Sequence, residues 1–164
     1  MFEDISRVRK ELSFPVAVKE TGAGMSFELV SKLKAAGIKI LNIAGAGGTA
    51  WGKIELMRGG KGDYEKGVIP TVDSILSASR AGGLTIIASG GVRSGEDVAK
   101  ALALGASFGG AALPFLRAKN PSELVAKWAD ELKSTMALCG ARSLSEMRNV
   151  GALVKGDTSA RLMG

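Results

Sequence analysis

Short apolar runs that each end in a cluster of glycine constrain this chain more than any other feature of its sequence. Glycine supplies 23 of the 164 residues, about twice its usual share, and the clusters stand where one apolar run stops and a helix-periodic stretch begins. Phe14 to Lys19 (F-P-V-A-V-K) is a β-rich run. Ser26 to Ala36 then places Leu29, Val30 and Leu33 on one helical face, with Ser26 as N-cap and Gly37 just past the end. A second apolar run, Lys39 to Ala44, closes in Gly45-Ala46-Gly47-Gly48-Thr49. A polar, glycine-broken loop is expected from Gly52 to Gly67, after which Thr71 caps a helix carrying Ile75, Leu76 and Ser79 that stops at Gly82-Gly83.

The alternation continues. Leu84 to Ser89 is a third strand running into Gly90-Gly91, and Ser94 caps a helix with Asp97 in its first turn, Val98 and Leu102 inward and Gly105 at its close. Ser107 to Leu113 is a fourth, small and apolar run. Past Asn120-Pro121, a long helix buries Leu124, Val125, Trp128 and Leu132, and a shorter one starts at Ser143 with Glu146 completing a capping box. Four strands alternating with helices pair in parallel, because each crossover helix returns the chain to the same end of the sheet. The class is α/β. A closed eight-stranded barrel takes about 250 residues, so this chain forms either a small open sheet or about half a barrel.

Composition narrows the chemistry. The formal charge is 22 − 16 = +6, spread along the chain instead of gathered in a basic block, which does not fit nucleic acid as the main partner. No apolar run approaches the roughly 18 residues of a membrane helix. Met1 to Leu12 mixes acidic and basic residues without an apolar core, so no secretion signal is expected and the location is expected to be cytoplasmic. Cys139, the single cysteine, is expected to be a core thiol without a role, and the absence of histidine removes His-based metal sites and Ser-His-Asp catalysis. Acid-base work must come from Lys, Asp, Glu or a cofactor.

Gly90-Gly91-Val92-Arg93-Ser94-Gly95 lies between a strand and a helix. Glycines let the backbone approach an anion, the helix start presents unpaired N–H groups, and Arg93 can grip a phosphate in bidentate fashion. A tight turn with a solvated arginine is the competing reading. The Walker lysine pattern does not occur, which disfavours ATP. Gly109 to Leu113 ends the next strand in residues too small to block a ligand, and two successive strand ends of this kind match the phosphate site that barrels build after strands 7 and 8. Gly45 to Thr49 lacks the last glycine of the dinucleotide pattern; it reads better as a loop lying flat against a planar ligand, with Thr49 as a hydroxyl donor. Lys19 shares a face with Ala17, opposite Val16 and Val18, and a lysine pointing into a barrel needs an anionic partner such as the N1–O2 edge of a reduced flavin. Glu55, Arg58, Asp63 and Glu65 fall in the expected loop and read as solvated charges.

Taken in order, these strand ends resemble the C-terminal half of type 2, FMN-dependent isopentenyl-diphosphate delta-isomerase. The matching segments are Val18-Lys19-Glu20 with Gly22-Ala23-Gly24-Met25-Ser26, Ala44 to Trp51 (A-G-A-G-G-T-A-W), Ile69-Pro70-Thr71, Ala88 to Gly95 (A-S-G-G-V-R-S-G) and Ala111 to Leu116 (A-A-L-P-F-L). The resemblance runs from about Phe14 to about Met147. Gly-Gly-Val-Arg is shared by many FMN barrels, whereas Ala44 to Trp51 followed by Ile69-Pro70-Thr71 is far more specific.

The resemblance implies a (β/α) half-barrel, the C-terminal half of a TIM-type barrel, as one unit over 1–164 with a lead-in helix over 1–13 and an extension over 140–164. It places the family's flavin-contacting lysine on Lys19 and its threonine on Thr49, and the FMN phosphate on Gly91, Val92 and Arg93 with the backbone of Ala112 and Leu113. It implies interconversion of isopentenyl and dimethylallyl diphosphate, with NADPH as reductant of the flavin and Mg²⁺ on the substrate diphosphate. The His-Leu-Asn segment and Gln-Glu pair of the family's earlier strands have no counterpart here. The chain is therefore expected to be part of a longer barrel, inactive as an isomerase alone, whose partners are the missing N-terminal half, the isoprenoid diphosphate substrate and further copies in a homo-oligomer. Rival readings are another FMN barrel, of the hydroxy-acid oxidase or IMP dehydrogenase kind, for which the histidine or active-site-loop cysteine is lacking, and a non-catalytic phosphate-binding module.

Overall fold

The strands run only two to four residues each, so the sheet is narrow from rim to rim and helices make up most of the regular structure. The computed structural model describes residues 2–62, 64 and 67–159. Its elements are α1 Phe2–Glu11, β1 Ala17–Lys19, α2 Phe27–Ala35, β2 Ile40–Asn42, α3 Trp51–Met57, α4 Thr71–Ala81, β3 Thr85–Ala88, α5 Gly95–Ala103, β4 Phe108–Gly109, α6 Leu113–Arg117, α7 Pro121–Leu138 and α8 Leu144–Arg148. The strands form one sheet in the order β1-β2-β3-β4, every pair parallel. Chain order equals sheet order, which is how a barrel is laid down and not how a doubly wound sheet is. Among the described residues no helix is long and apolar enough to cross a membrane.

Alternation along the strands decides the two faces. Val18, Leu41, Ile86 and Ala88 turn toward the helices and join a core of Met25, Val30, Leu33, Ile38, Ile43 and Ile75. Ala17 and Lys19, then Ile40 and Asn42, then Thr85 and Ile87, and finally Phe108 share the other face by their register. Lys19 and Phe108 are exposed there, and Ile40 and Ile87 are half-buried outside both apolar clusters. A parallel sheet is ordinarily covered on both faces; this one is covered on one.

Caps foreseen from the sequence form at Ser26, Ser94 and Ser143, and Asn120 caps α7 in the same way. The Asn120 side chain accepts from the N–H groups of Ser122 at 3.1 Å and Glu123 at 3.4 Å. Asn120→Ala should lower stability by about 1 kcal/mol, read as an earlier urea midpoint at unchanged slope; an unmoved midpoint would mean that packing alone holds α7.

Four expectations are corrected. The stretch after Trp51 is not all loop: α3 occupies Trp51–Met57, and Gly52 is there because a Cβ would run into the Tyr64 ring. Asp63 and Glu65 lie outside the described residues, and Glu55 sits in α3. Thr71 is the first residue of α4 and not its cap, since Pro70 holds that place while bridging to Ala46. Val125 is 54% exposed, because α5 begins with Gly95 against Trp128 and Glu131, one turn further along α7. Cys139 is exposed: it ends α7, Gly140 reverses the chain at φ 72°, and Ala141 takes the buried place. The segment from 140 returns to the body through Ala141 and Met147, packed on Ala99 and Leu102.

Candidate functional site

Parallel strands deliver their C-terminal ends to one rim, and four loops meet there. After β1, the Glu20 carboxylate accepts from the backbone N–H groups of Gly22, Ala23 at 2.6 Å and Gly24 at 3.1 Å, which curls the loop beneath its own side chain. After β2, Gly45 donates to the Ser89 carbonyl at 2.9 Å and Ala46 to the Ile69 carbonyl at 2.9 Å. After β3, Gly90 and Gly91 lie directly on that second loop, at φ 98° and 86°. A Cβ on Gly91 would stand 2.7 Å from the Gly47 oxygen, and one on Gly47 would stand 2.9 Å from the Gly90 oxygen. After β4, Gly110 donates to the Ala88 carbonyl at 2.8 Å, so the third and fourth strand ends adjoin.

Two side chains tie these loops together. The Thr71 hydroxyl donates to the Gly90 carbonyl at 2.5 Å, and it lies 3.5 Å from the Ala46 carbonyl. One Arg93 guanidinium nitrogen donates to the Gly47 carbonyl at 3.2 Å; the group is exposed and keeps further donors for an anion. The motifs Ala44 to Trp51, Ile69 to Thr71 and Ala88 to Gly95, far apart in sequence, are thus one structure.

The start of α5 differs from expectation. Its N–H groups are not open: Arg93 donates to the Asp97 carboxylate at 2.9 Å, Gly95 to Glu131 at 2.8 Å, and Asp97 to the Ser94 hydroxyl at 3.1 Å. Glu131 arrives from α7, which no local pattern reveals. The N–H groups without a protein acceptor, among the described residues, include those of Gly91, Val92, Ala112 and Leu113. Among the described residues the open donors at this rim therefore lie mainly in the loop backbone and the Arg93 guanidinium.

Lys19 and Thr49 are both exposed on this rim. The Lys19 ammonium donates to the Glu20 carbonyl at 3.2 Å. Next to it in register stands Asn42, whose side-chain oxygen accepts from the Ser89 hydroxyl at 2.5 Å. The sequence pattern gives no site role to Glu20, Asn42, Thr71 or Ser89. Only the strand parity of Lys19 and Asn42 could have signalled the pair. Charge shifts arise elsewhere: Glu28 is held below the ordinary carboxylate range, first by its own backbone N–H and next by Ser26, and Lys100 is raised, mainly by its hydrogen bond to Glu96.

The donor set suits FMN: open backbone amides and a guanidinium for a phosphate dianion, and a lysine and an amide along the sheet face for the polar edge of an isoalloxazine. Among the described residues no group of three or more acidic, cysteine or histidine side chains gathers to hold a metal.

Comparison with known proteins bears on the fold and the family. The isopentenyl-diphosphate delta-isomerase of Pyrococcus horikoshii is 38% identical over 95% of this chain and 46% of its own length. That of Methanosarcina barkeri is 40% identical over 94% of this chain and 46% of its own. The chain spans about half the length of the curated relatives it matches. A crystal structure of mandelate oxidase superposes with a TM-score of 0.69 at 25% identity, covering 93% of this chain and 43% of that one. GMP reductase from Trypanosoma brucei, at 22% identity and a TM-score of 0.73 over 98% of this chain and 40% of its own, shares the fold. Residues 1–152 match the family described as FMN-dependent dehydrogenase. The chain belongs to that family, as a partial barrel of four parallel strands whose C-terminal rim gathers its glycine loops.

Proposed function

We propose that the chain is the flavin-phosphate half of an FMN-dependent isomerase that interconverts isopentenyl and dimethylallyl diphosphate. One observation carries this reading: the two glycine loops, Thr71 and the Arg93 guanidinium lock together at the rim, and among the described residues the amides of Gly91 and Val92 and, past the adjoining strand end, of Ala112 and Leu113 have no protein acceptor. Names of relatives at 38–40% identity supply the reaction. Lys19 would meet the flavin's N1–O2 edge, Thr49 would donate its hydroxyl, and Gly91, Val92, Arg93, Ala112 and Leu113 would hold the phosphate. When bound, FMN supplies the proton-transfer chemistry at the allylic carbons.

What these residues do is narrower: they fix the cofactor's tail and keep one positive charge at its polar edge. Diphosphate recognition, Mg²⁺ binding and reduction by NADPH belong to the other strands of the barrel, which the same reading requires as partner, in a cytoplasmic homo-oligomer serving isoprenoid synthesis.

Titration with FMN, followed by quenching of flavin fluorescence, tests the cradle. A charge-assisted contact contributes about 1.5–3 kcal/mol, so Arg93→Ala should weaken FMN at least about tenfold while leaving riboflavin, which lacks the phosphate, unchanged. Equal FMN binding by both proteins, or equal loss of both ligands, would remove the phosphate role.

A further inference from the structure

Asn42 ends β2 on the bare face of the sheet, level with Lys19, its partner in register at the end of β1. Its partner on β3 is Ile87, and two residues on, just past that strand, the Ser89 hydroxyl reaches across to donate to the Asn42 Oδ1 at 2.5 Å. Lys19, Asn42 and Ser89 thus make a polar row over three neighbouring strands at the rim, above the apolar Ala17 and Ile40. At the end of β4 the row has no side chain at all. A Cβ on Gly110 would lie 3.3 Å from the Ile87 side chain and 3.5 Å from that of Ser89.

The row is unevenly satisfied. Ser89, only 9% exposed, spends its hydroxyl proton on Asn42, and the Lys19 ammonium holds the Glu20 carbonyl. With Oδ1 taken, Asn42 presents the two N–H groups of Nδ2, and among the described residues neither has an acceptor. Asn42 is half-buried, where a donor left unpaired costs free energy. Because β2 has a strand on either side, nothing that adjoins the edges of the sheet reaches this amide. Only a group lying over the face can meet it.

We infer that Asn42 is a second donor to the polar edge of the flavin ring, beside Lys19, and that Ser89 is the positioning residue that turns its N–H groups outward. The inference rests on the flavin reading and names a contact within it. An amide side chain can offer a carbonyl or an NH₂; Ser89 occupies the carbonyl, so the ligand meets donors only. Ammonium and amide side by side suit an edge of acceptors, and they suit it best when the N1–O2 edge of a reduced flavin is negative, since charge-assisted hydrogen bonds are about twice as strong as neutral ones.

Riboflavin, which has no phosphate, isolates the ring contacts in the full chain. Asn42→Ala should weaken oxidised riboflavin and oxidised FMN alike, by about two- to tenfold, and the reduced forms by at least about tenfold. The midpoint potential of the bound flavin should therefore fall. Arg93→Ala, in contrast, should weaken FMN alone. Equal weakening of both redox states would mean a lesion of the fold and not a lost donor, and it would overturn the inference, as would unchanged binding. Asn42→Asp keeps the shape and the acceptor for Ser89 but replaces the N–H groups with a negative oxygen, so it should lower the potential further; an unmoved potential would remove the donor role. Ser89→Ala frees the amide to turn and should lower the potential by a smaller step, and no step would remove the positioning role. A wild-type chain that binds neither flavin would overturn the flavin reading and this contact together, whereas wild-type binding that both Asn42 variants reproduce would overturn the contact alone.

Discussion

Replacing Gly90 with alanine is expected to cost about 2–5 kcal/mol, a large part of what holds a domain of this size together. Two effects add. At φ 98° an L side chain carries a left-handed penalty of about 1–2 kcal/mol. The new methyl would also be driven into the backbone of Gly45, where no rotamer can move aside, and such overpacking costs about 1–3 kcal/mol. Gly83 separates the terms: its φ is 66°, yet nothing lies within 4 Å of its missing Cβ. Gly83→Ala should therefore lose only about 1 kcal/mol, since alanine also restricts the unfolded chain. Chemical denaturation of both variants measures the difference. Similar losses would mean that the contact between the second and third strand-end loops does not hold the rim, and the candidate site would lose its frame. With the contact intact, the same experiment predicts that Gly90→Ala also displaces the carbonyl that Thr71 holds, loosening FMN along with the fold.

What could be read in advance was set by neighbours in sequence, and what could not was set by neighbours in space. Ser94 with Asp97, or Asn120 with Ser122 and Glu123, makes its cap within three residues, so the sequence alone contains the interaction. The strand order follows in the same way, from apolar runs too short and too regularly spaced for anything but βα units. In sequence, Gly90 and Gly91 suggest room for a phosphate; in the structure they make room for Gly45 and Gly47. Glycine signals close approach without saying to what. Thr71 looks like a cap because threonine before a helix usually is one, yet its hydroxyl serves a carbonyl 19 residues away. Cys139 and Val125 fit the apolar stripe of α7 and are nevertheless exposed, because a stripe predicts burial only as far as the facing helix extends. Glu131 closing the start of α5 from 36 residues away is the hardest case: a carboxylate on a long helix has no signature that tells it from a solvated one.

Grafting the chain into a whole barrel is expected to produce the largest change in activity, from none to measurable isomerisation. The recipient is the Pyrococcus horikoshii relative, with this chain substituted for the region it matches, 46% of that protein. In the chimera the grafted β1 and β4 edges would pair with the recipient's strands and the bare face would be covered. The chimera should bind FMN and isomerise isopentenyl diphosphate, while this chain alone should not. Arg93→Ala within the chimera should then demand at least about tenfold more FMN for half-maximal rate, with the rate at saturating FMN preserved, because Arg93 holds the cofactor's tail and not the reacting carbons. A folded chimera that binds FMN and does not isomerise would leave the phosphate cradle standing and remove the assigned reaction. One that isomerises with unchanged FMN demand after Arg93→Ala would leave the reaction and remove the cradle. The two halves of the proposal, a site drawn from backbone geometry and a reaction drawn from kinship, therefore fail separately.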